Sequence, residues 1–258
     1  MLRSVARLTG LFVNALDGDI GSVDQLLLED RLWKIRYLVV KVGGMLGTRR
    51  VLLTPATFIG PTTEGFTVKV TVAQVLASPP IDTAQPITRA VEQELHDHYA
   101  WSYYWDLPPS QSTGLLPGFT YPPSIIEQVR IQAEEEEHKL RAVEGSHLRA
   151  TKEMTSYHLT TPQGRHGRVH DLLLDDSRWE VRFLIVMKDT VLHRNPTALP
   201  ITRVRSIDAA TATIGVEVMF DLIRTAPEYH PNQPFTQEDE RRAIMHFEET
   251  GPLQGTSR

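Results

Sequence analysis

Trp33-Lys34-Ile35-Arg36-Tyr37-Leu38-Val39-Val40 and Trp179-Glu180-Val181-Arg182-Phe183-Leu184-Ile185-Val186 carry the same pattern at two places in the chain. Side chains of a strand alternate between its two faces. One face therefore holds Trp33, Ile35, Tyr37 and Val39, or Trp179, Val181, Phe183 and Ile185, all apolar. That face lines a core. The other face begins with Arg36 or Arg182 and continues Leu38, Val40 or Leu184, Val186. It is mostly apolar too, so another element must cover it.

The match extends outward. Trp33 and Trp179 are 146 residues apart, and at that offset Leu2-Arg3-Ser4 meets Leu148-Arg149-Ala150. Gly18 and Gly21 meet Gly164 and Gly167, Leu26-Leu27-Leu28 meets Leu172-Leu173-Leu174, and Asp30 and Arg36 meet Asp176 and Arg182. Val70, Val72 and Leu76 meet Val216, Val218 and Leu222, and roughly 20 of the first 76 positions are identical. The match then resumes after a slip of two residues, with Gln85-Pro86-Ile87-Thr88 on Gln233-Pro234-Phe235-Thr236. One fold is written twice. Residues 2–13 have a counterpart inside the chain and belong to it.

Strand-like runs 10–16 and 19–28 flank Asp17-Gly18, which predicts a tight hairpin with φ above zero; Gln163-Gly164 stands in the same place in the second copy. Glu29-Asp30 and Asp175-Asp176 predict a further turn before each strong strand. Shorter strands follow near 50–53 and 66–70, and near 197–200 and 211–216, with short closing helices at 72–77 and 218–223. Thr88 and Thr236 read as N-caps of helices over 89–99 and 237–249, with Asp239 as the acidic member of a capping box. The first helix runs on into Tyr99, Trp101, Tyr103, Tyr104 and Trp105. These rings either pack on a barrel's exposed apolar face or form a platform for a partner.

The organisation is then a first β unit (1–82), a helical and aromatic arm (83–105), a Pro-rich linker with an acidic helix (106–145), a second β unit (146–230) and a C-terminal helical arm (231–258). Residues 106–123 are rich in Pro, Gly and Ser, and residues 124–144 read as a helix opened by Ser124 and Glu127, with Glu134 to Glu137 on its solvated face.

Composition narrows the function. The chain has 258 residues, 41% apolar and 23% charged, as a soluble globular protein does. With 27 basic against 32 acidic residues the net charge is −5, which argues against a nucleic-acid partner. No cysteine is present, so no thiolate chemistry arises, and a reducing, cytoplasmic location is expected. The uncharged stretch 107–126 is long enough to span a bilayer, but Pro108, Pro109, Pro117, Pro122 and Pro123 break it; no integral membrane segment is expected.

Reactive constellations are scarce. Gly18-Asp19-Ile20-Gly21 resembles a phosphate loop, but a strand follows it. Glu29-Asp30 and Asp175-Asp176 are turn residues exposed to water rather than a catalytic pair. His96 and His98 do not share a helix face, whereas His166 and His170 could share a strand face and are the weak metal candidates. Arg36 and Arg182 are expected to lay their stems on apolar surface and pair with a carboxylate such as Asp30 or Asp176. No catalytic residue, cofactor or metal is assigned.

The run from Asp17 to Gly21 through Trp33 to Val40, and its second version from Gln163 to Gly167 through Trp179 to Val186, resembles the signature of the PRC-barrel family. That family is known from the soluble part of the photosynthetic reaction-centre H subunit and from the C-terminal domain of the ribosome-maturation factor RimM. The resemblance covers nearly all of the chain except the linker. It implies a mainly β fold of two small barrels, each followed by a short helical arm. It also implies a non-catalytic interaction or scaffold role with an unknown protein partner; the sequence leaves open whether the two copies pack on each other as a pseudo-symmetric pair or pair across a homodimer. The alternatives are a small-molecule or metal-binding domain, with catalysis open to it, and a ribosome- or RNA-associated factor by analogy with RimM. Partner contact falls to Tyr99, Trp101, Tyr103, Tyr104 and Trp105. Gly18, Gly21, Asp30, Trp33, Arg36, Gly164, Gly167, Asp176, Trp179 and Arg182 are expected to be structural.

Overall fold

The computed structural model describes residues 1–44, 47–61, 65–82, 85–105, 148–188 and 195–248. The linker and the acidic helix expected between the copies lie outside these residues. The chain divides into two compact units, Met1–Leu76 with His147–Arg258, and Ala77–Ser146.

The first unit is built on one mixed sheet of fourteen strands. The first copy supplies β1 (Leu2–Ser4), β2 (Phe12–Asn14), β3 (Asp19–Glu29), β4 (Lys34–Gly44), β5 (Gly47–Leu53), β6 (Phe58–Pro61) and β7 (Gly65–Val68). The second supplies β8 (Leu148–Ala150), β9 (His158–Thr161), β10 (Gly164–Asp175), β11 (Glu180–Met187), β12 (Thr197–Pro200), β13 (Val204–Asp208) and β14 (Thr213–Val216). The order in the first copy is β6-β7-β2-β3-β4-β5, and β13-β14-β9-β10-β11-β12 repeats it. The β2–β7 and β9–β14 pairs are parallel, and the remaining ladders are antiparallel.

The ladders do not close into the two small barrels that the family resemblance implied. They join into one sheet because the copies exchange strands. β1 pairs with β10, Leu2 opposite Asp175, and β8 pairs with β3, Leu148 opposite Glu29. β4 and β11 then meet at Lys34 and Glu180. Ile35 N–H donates to the Trp179 carbonyl at 2.8 Å, and Val181 N–H to the Trp33 carbonyl at 2.7 Å. Each contact has a mirror partner 146 residues away, the signature of a two-fold relation within one chain. Arg3 pairs with Asp176 at 2.6 Å and Arg149 with Asp30 at 2.9 Å, across the copies in both directions.

Trp33 and Trp179 do not begin the strong strands. They stand one residue earlier with φ of 56° and 54°, in the left-handed region that costs a residue with a Cβ about 1 kcal/mol. The turn aims both carbonyls across the seam. Beyond it the strands are buried on both faces: Tyr37, Leu38, Val39 and Val40 have no exposed surface, nor have Leu184, Ile185 and Val186. Each such side chain contributes about 2 kcal/mol by burial. The expected need for a second cover is therefore met. In the second copy α6 (Gln237–Glu248) supplies part of it, with Ala243 joining a core of Leu173, Phe183, Ile185, Ala198 and Tyr229. Leu2 and Ile244 pack against the same core. Thr236 and Asp239 form the predicted capping box, Asp239 N–H donating to Thr236 Oγ1 and Thr236 N–H to Asp239 Oδ2.

Gly21 and Gly167 mark close approaches. A Cβ on Gly21 would lie 1.8 Å from the Lys41 carbonyl oxygen, and one on Gly167 would lie 2.4 Å from that of Met187. Gly18 differs from expectation, since its φ is not positive. The loop closes by a bond from Ala15 N–H to the Gly18 carbonyl, and Asp17 turns outward to accept from Val72 N–H, the first residue of α2 (Val72–Ala77). Gln163 does the same for Phe220, which opens α5 (Phe220–Thr225). This closing helix starts two residues later than the 146-residue offset implies. The slip therefore falls between β6 and β7. Lys69 donates to Thr57 and Glu217 to Arg203, so positions from β7 onward correspond at an offset of 148. The Val70–Val216 and Leu76–Leu222 matches are coincidences of composition. Leu76 corresponds to Arg224.

In the second unit, Thr88 caps α3 (Arg89–Tyr99) as predicted, accepting from Val91 N–H, and Ala100 ends the helix with φ of 53°.

Candidate interaction surfaces

The aromatic arm folds back on its own helix. Glu92, fully buried, accepts from the Tyr104 hydroxyl at 2.7 Å and lies 3.3 Å from Arg89. The Arg89 guanidinium lies over the Trp105 ring at 4.1 Å, a cation–π distance. Tyr99 stacks on Trp101 at 4.2 Å, and Tyr103 stacks on Trp105 at 5.0 Å. His96 is the hub. Its ring is buried, within 5.1 to 6.1 Å of Trp101, Tyr103, Tyr104 and Trp105, and its Nδ1 lies 3.0 Å from the Ser102 carbonyl. Burial pushes its pKa down, against hydrogen bonding to Ser102 and the nearby Glu92 charge. The five predicted contact residues are thus brought together, as one stack held by α3. Trp101, Tyr103, Tyr104 and Trp105 stay half-buried, and Tyr99 is buried.

Four exposed apolar side chains stand out on the first copy, and the sequence reading missed them. Phe12 is 67% exposed, Leu16 62%, Ile59 55% and Leu76 52%. The corresponding positions carry His158, Pro162, Arg205 and Arg224. Arg205 is paired with Glu217, and Arg224 with Asp221. A comparison of outward positions at the 146-residue offset would have found Phe12, Leu16 and Ile59, and only Leu76 needed the slip placed correctly.

The remaining candidates resolve into structural groups. Arg36 pairs with Glu29 and Arg182 with Glu240 at 2.8 Å, while the predicted partners Asp30 and Asp176 hold Arg149 and Arg3. Both arginines sit where register slips, between Leu27 and Leu28 against β3 and between Leu173 and Leu174 against β10. His166 stacks on Phe220 at 4.2 Å, and His170 is exposed at a bulge. Among the described residues no three His, Asp or Glu side chains gather as metal ligands. A cleft of about 430 Å³ lies beside Leu2, Phe235 and the Arg182–Glu240 pair, so its guanidinium already has a carboxylate.

Asp24 is buried between Lys41 at 2.8 Å and Arg50 at 2.7 Å. Burial raises its pKa, but the bonds from Lys41 and Arg50 outweigh this and hold the carboxyl below its usual range. The second copy has His170, Met187 and Pro196 at these places. It buries Lys188 instead, whose Nζ donates to the Arg224 and Ala226 carbonyls at the end of α5. Burial pushes that lysine's pKa down. Arg49 does the corresponding work for Leu76 in the first copy, at 2.6 Å.

Among the described residues no helix is long and apolar enough to cross a membrane. The chain matches no protein-family model and no curated protein.

Proposed function

We propose that the protein is a non-catalytic scaffold of two PRC-like β units fused as a two-fold pair, which holds a protein partner on the outer side of its first copy. One observation carries this reading: Phe12, Leu16, Ile59 and Leu76 are exposed in the first copy, where the second has a histidine, a proline and two paired arginines. The copies share a topology, so the fold does not demand the difference. Large apolar side chains left exposed are where a contact surface is sought, although the second copy also exposes Met219 and Met245.

A photo-crosslinking amino acid at position 12 or 59, with position 205 as control, tests it in the native host. The reading expects one discrete adduct from positions 12 and 59 and none from 205. Equal labelling at all three, or none at any, contradicts it.

A further inference from the structure

The seam between the copies carries a row of four charged residues across neighbouring strands. Glu29 on β3 is opposite Lys34 on β4, Lys34 opposite Glu180 on β11, and Glu180 opposite Asp175 on β10. Lys34 and Glu180 form the pair between two flanking bonds, the arrangement in which opposed side chains stand closest. Like charges placed directly opposite destabilise a ladder, and opposite charges stabilise it.

Lys34 and Glu180 are the same position of the repeat, facing itself across the two-fold. Both copies present nearly the same backbone edge, so the backbone permits a first copy to pair with another first copy, or a second with a second. The charges discriminate. First with second reads Glu29, Lys34, Glu180, Asp175. Second with second would set Glu180 against Glu180 between two Asp175 residues, four acids with no base. First with first would read Glu29, Lys34, Lys34, Glu29, so the two like assemblies together hold four like-charge neighbours where two unlike seams hold two. We propose that Lys34 and Glu180 are the specificity determinant of this interface. They make each copy choose its unlike partner and exclude assembly of like copies from different chains.

Charge reversal in the full-length chain tests this. Lys34→Glu gives a seam of two glutamates, and Glu180→Lys a seam of two lysines. Each single variant should unfold at lower urea than the parent, and the double variant, with the pair reversed, should regain most of the loss. Refolded together with different tags, the two single variants can satisfy both seams only by pairing copies from different chains. Co-purification of the two tags should therefore rise about tenfold over a mixture of two tagged parent chains, two charge pairs being reversed at once. If either single variant fails to fold alone, the co-refolded mixture still reports, since the exchanged pair carries no like-charge seam. Unchanged co-purification, or a double variant no more stable than the singles, overturns the assignment.

Discussion

The two copies share their backbone pairing where they meet, with Lys34 set against Glu180, and differ in several side chains away from the seam. Strand exchange, the left-handed tryptophans, the Arg3–Asp176 and Arg149–Asp30 pairs and the glycine approaches all recur at matching positions. Asp24 with its two cations, the buried Lys188, and the exposed Phe12 and Ile59 occur in one copy alone. Shared features are what the two-fold pair needs to exist. Features of one copy have been free to diverge, so function is to be sought there.

Substitutions that ask whether the shared features are equivalent should have the largest effects. Gly21→Ala puts a Cβ 1.8 Å from a backbone oxygen, and Gly167→Ala one at 2.4 Å. Urea unfolding should show losses of about 3 kcal/mol or more for the first and somewhat less for the second. A small loss at both would mean that the close approach is not held. Arg3→Ala and Arg149→Ala remove the two mirrored pairs. Each should cost about 1 kcal/mol, and the two losses should agree within about 0.5 kcal/mol. Clearly unequal losses would break the two-fold comparison.

The unmatched features should give smaller, one-sided effects. Asp24→Asn should cost about 1 kcal/mol at neutral pH, while His170→Asn stays within about 0.5 kcal/mol. Because the folded pKa of Asp24 lies below its ordinary 3.8, its stabilisation is complete above that value and fades as the pH falls through the lowered one. The variant should show a flatter acid limb of stability. His96 corresponds to Ile244 on α6, and its lowered pKa has the opposite origin, since burial disfavours the charged ring. The unfolded state binds the proton more readily, so the arm keeps its full stability above pH 6.5 and loses it progressively as the pH drops toward the folded value. Fluorescence of Trp101 and Trp105 should report this loss, and His96→Leu should abolish its pH dependence.

Much of the fold was legible in the sequence, for reasons that can be named. The repeat, the strong strands and both capped helices depend on local patterning, and local patterning is what sequence displays. The exchange of β1 and β8 was not legible. Leu2-Arg3-Ser4 has the same sequence character whether it pairs within its own copy or with the other. Left-handed Trp33 was hidden because alternation alone counts it as the first strand residue. Exposed Phe12 and Ile59 were hidden because an apolar residue on a strand reads as core until the burial of each face is known. The aromatic arm was found by composition, but its arrangement around His96 depends on the turn at Ala100.

The pairing of the copies through β4 and β11 rests on two amides, and amide hydrogen exchange followed by NMR examines them directly. Ile35 and Val181 N–H should exchange only with global unfolding and with the same free energy, since each donates to the other copy's tryptophan carbonyl. Rapid exchange at either amide, or protection that differs by several kcal/mol between them, would contradict the account.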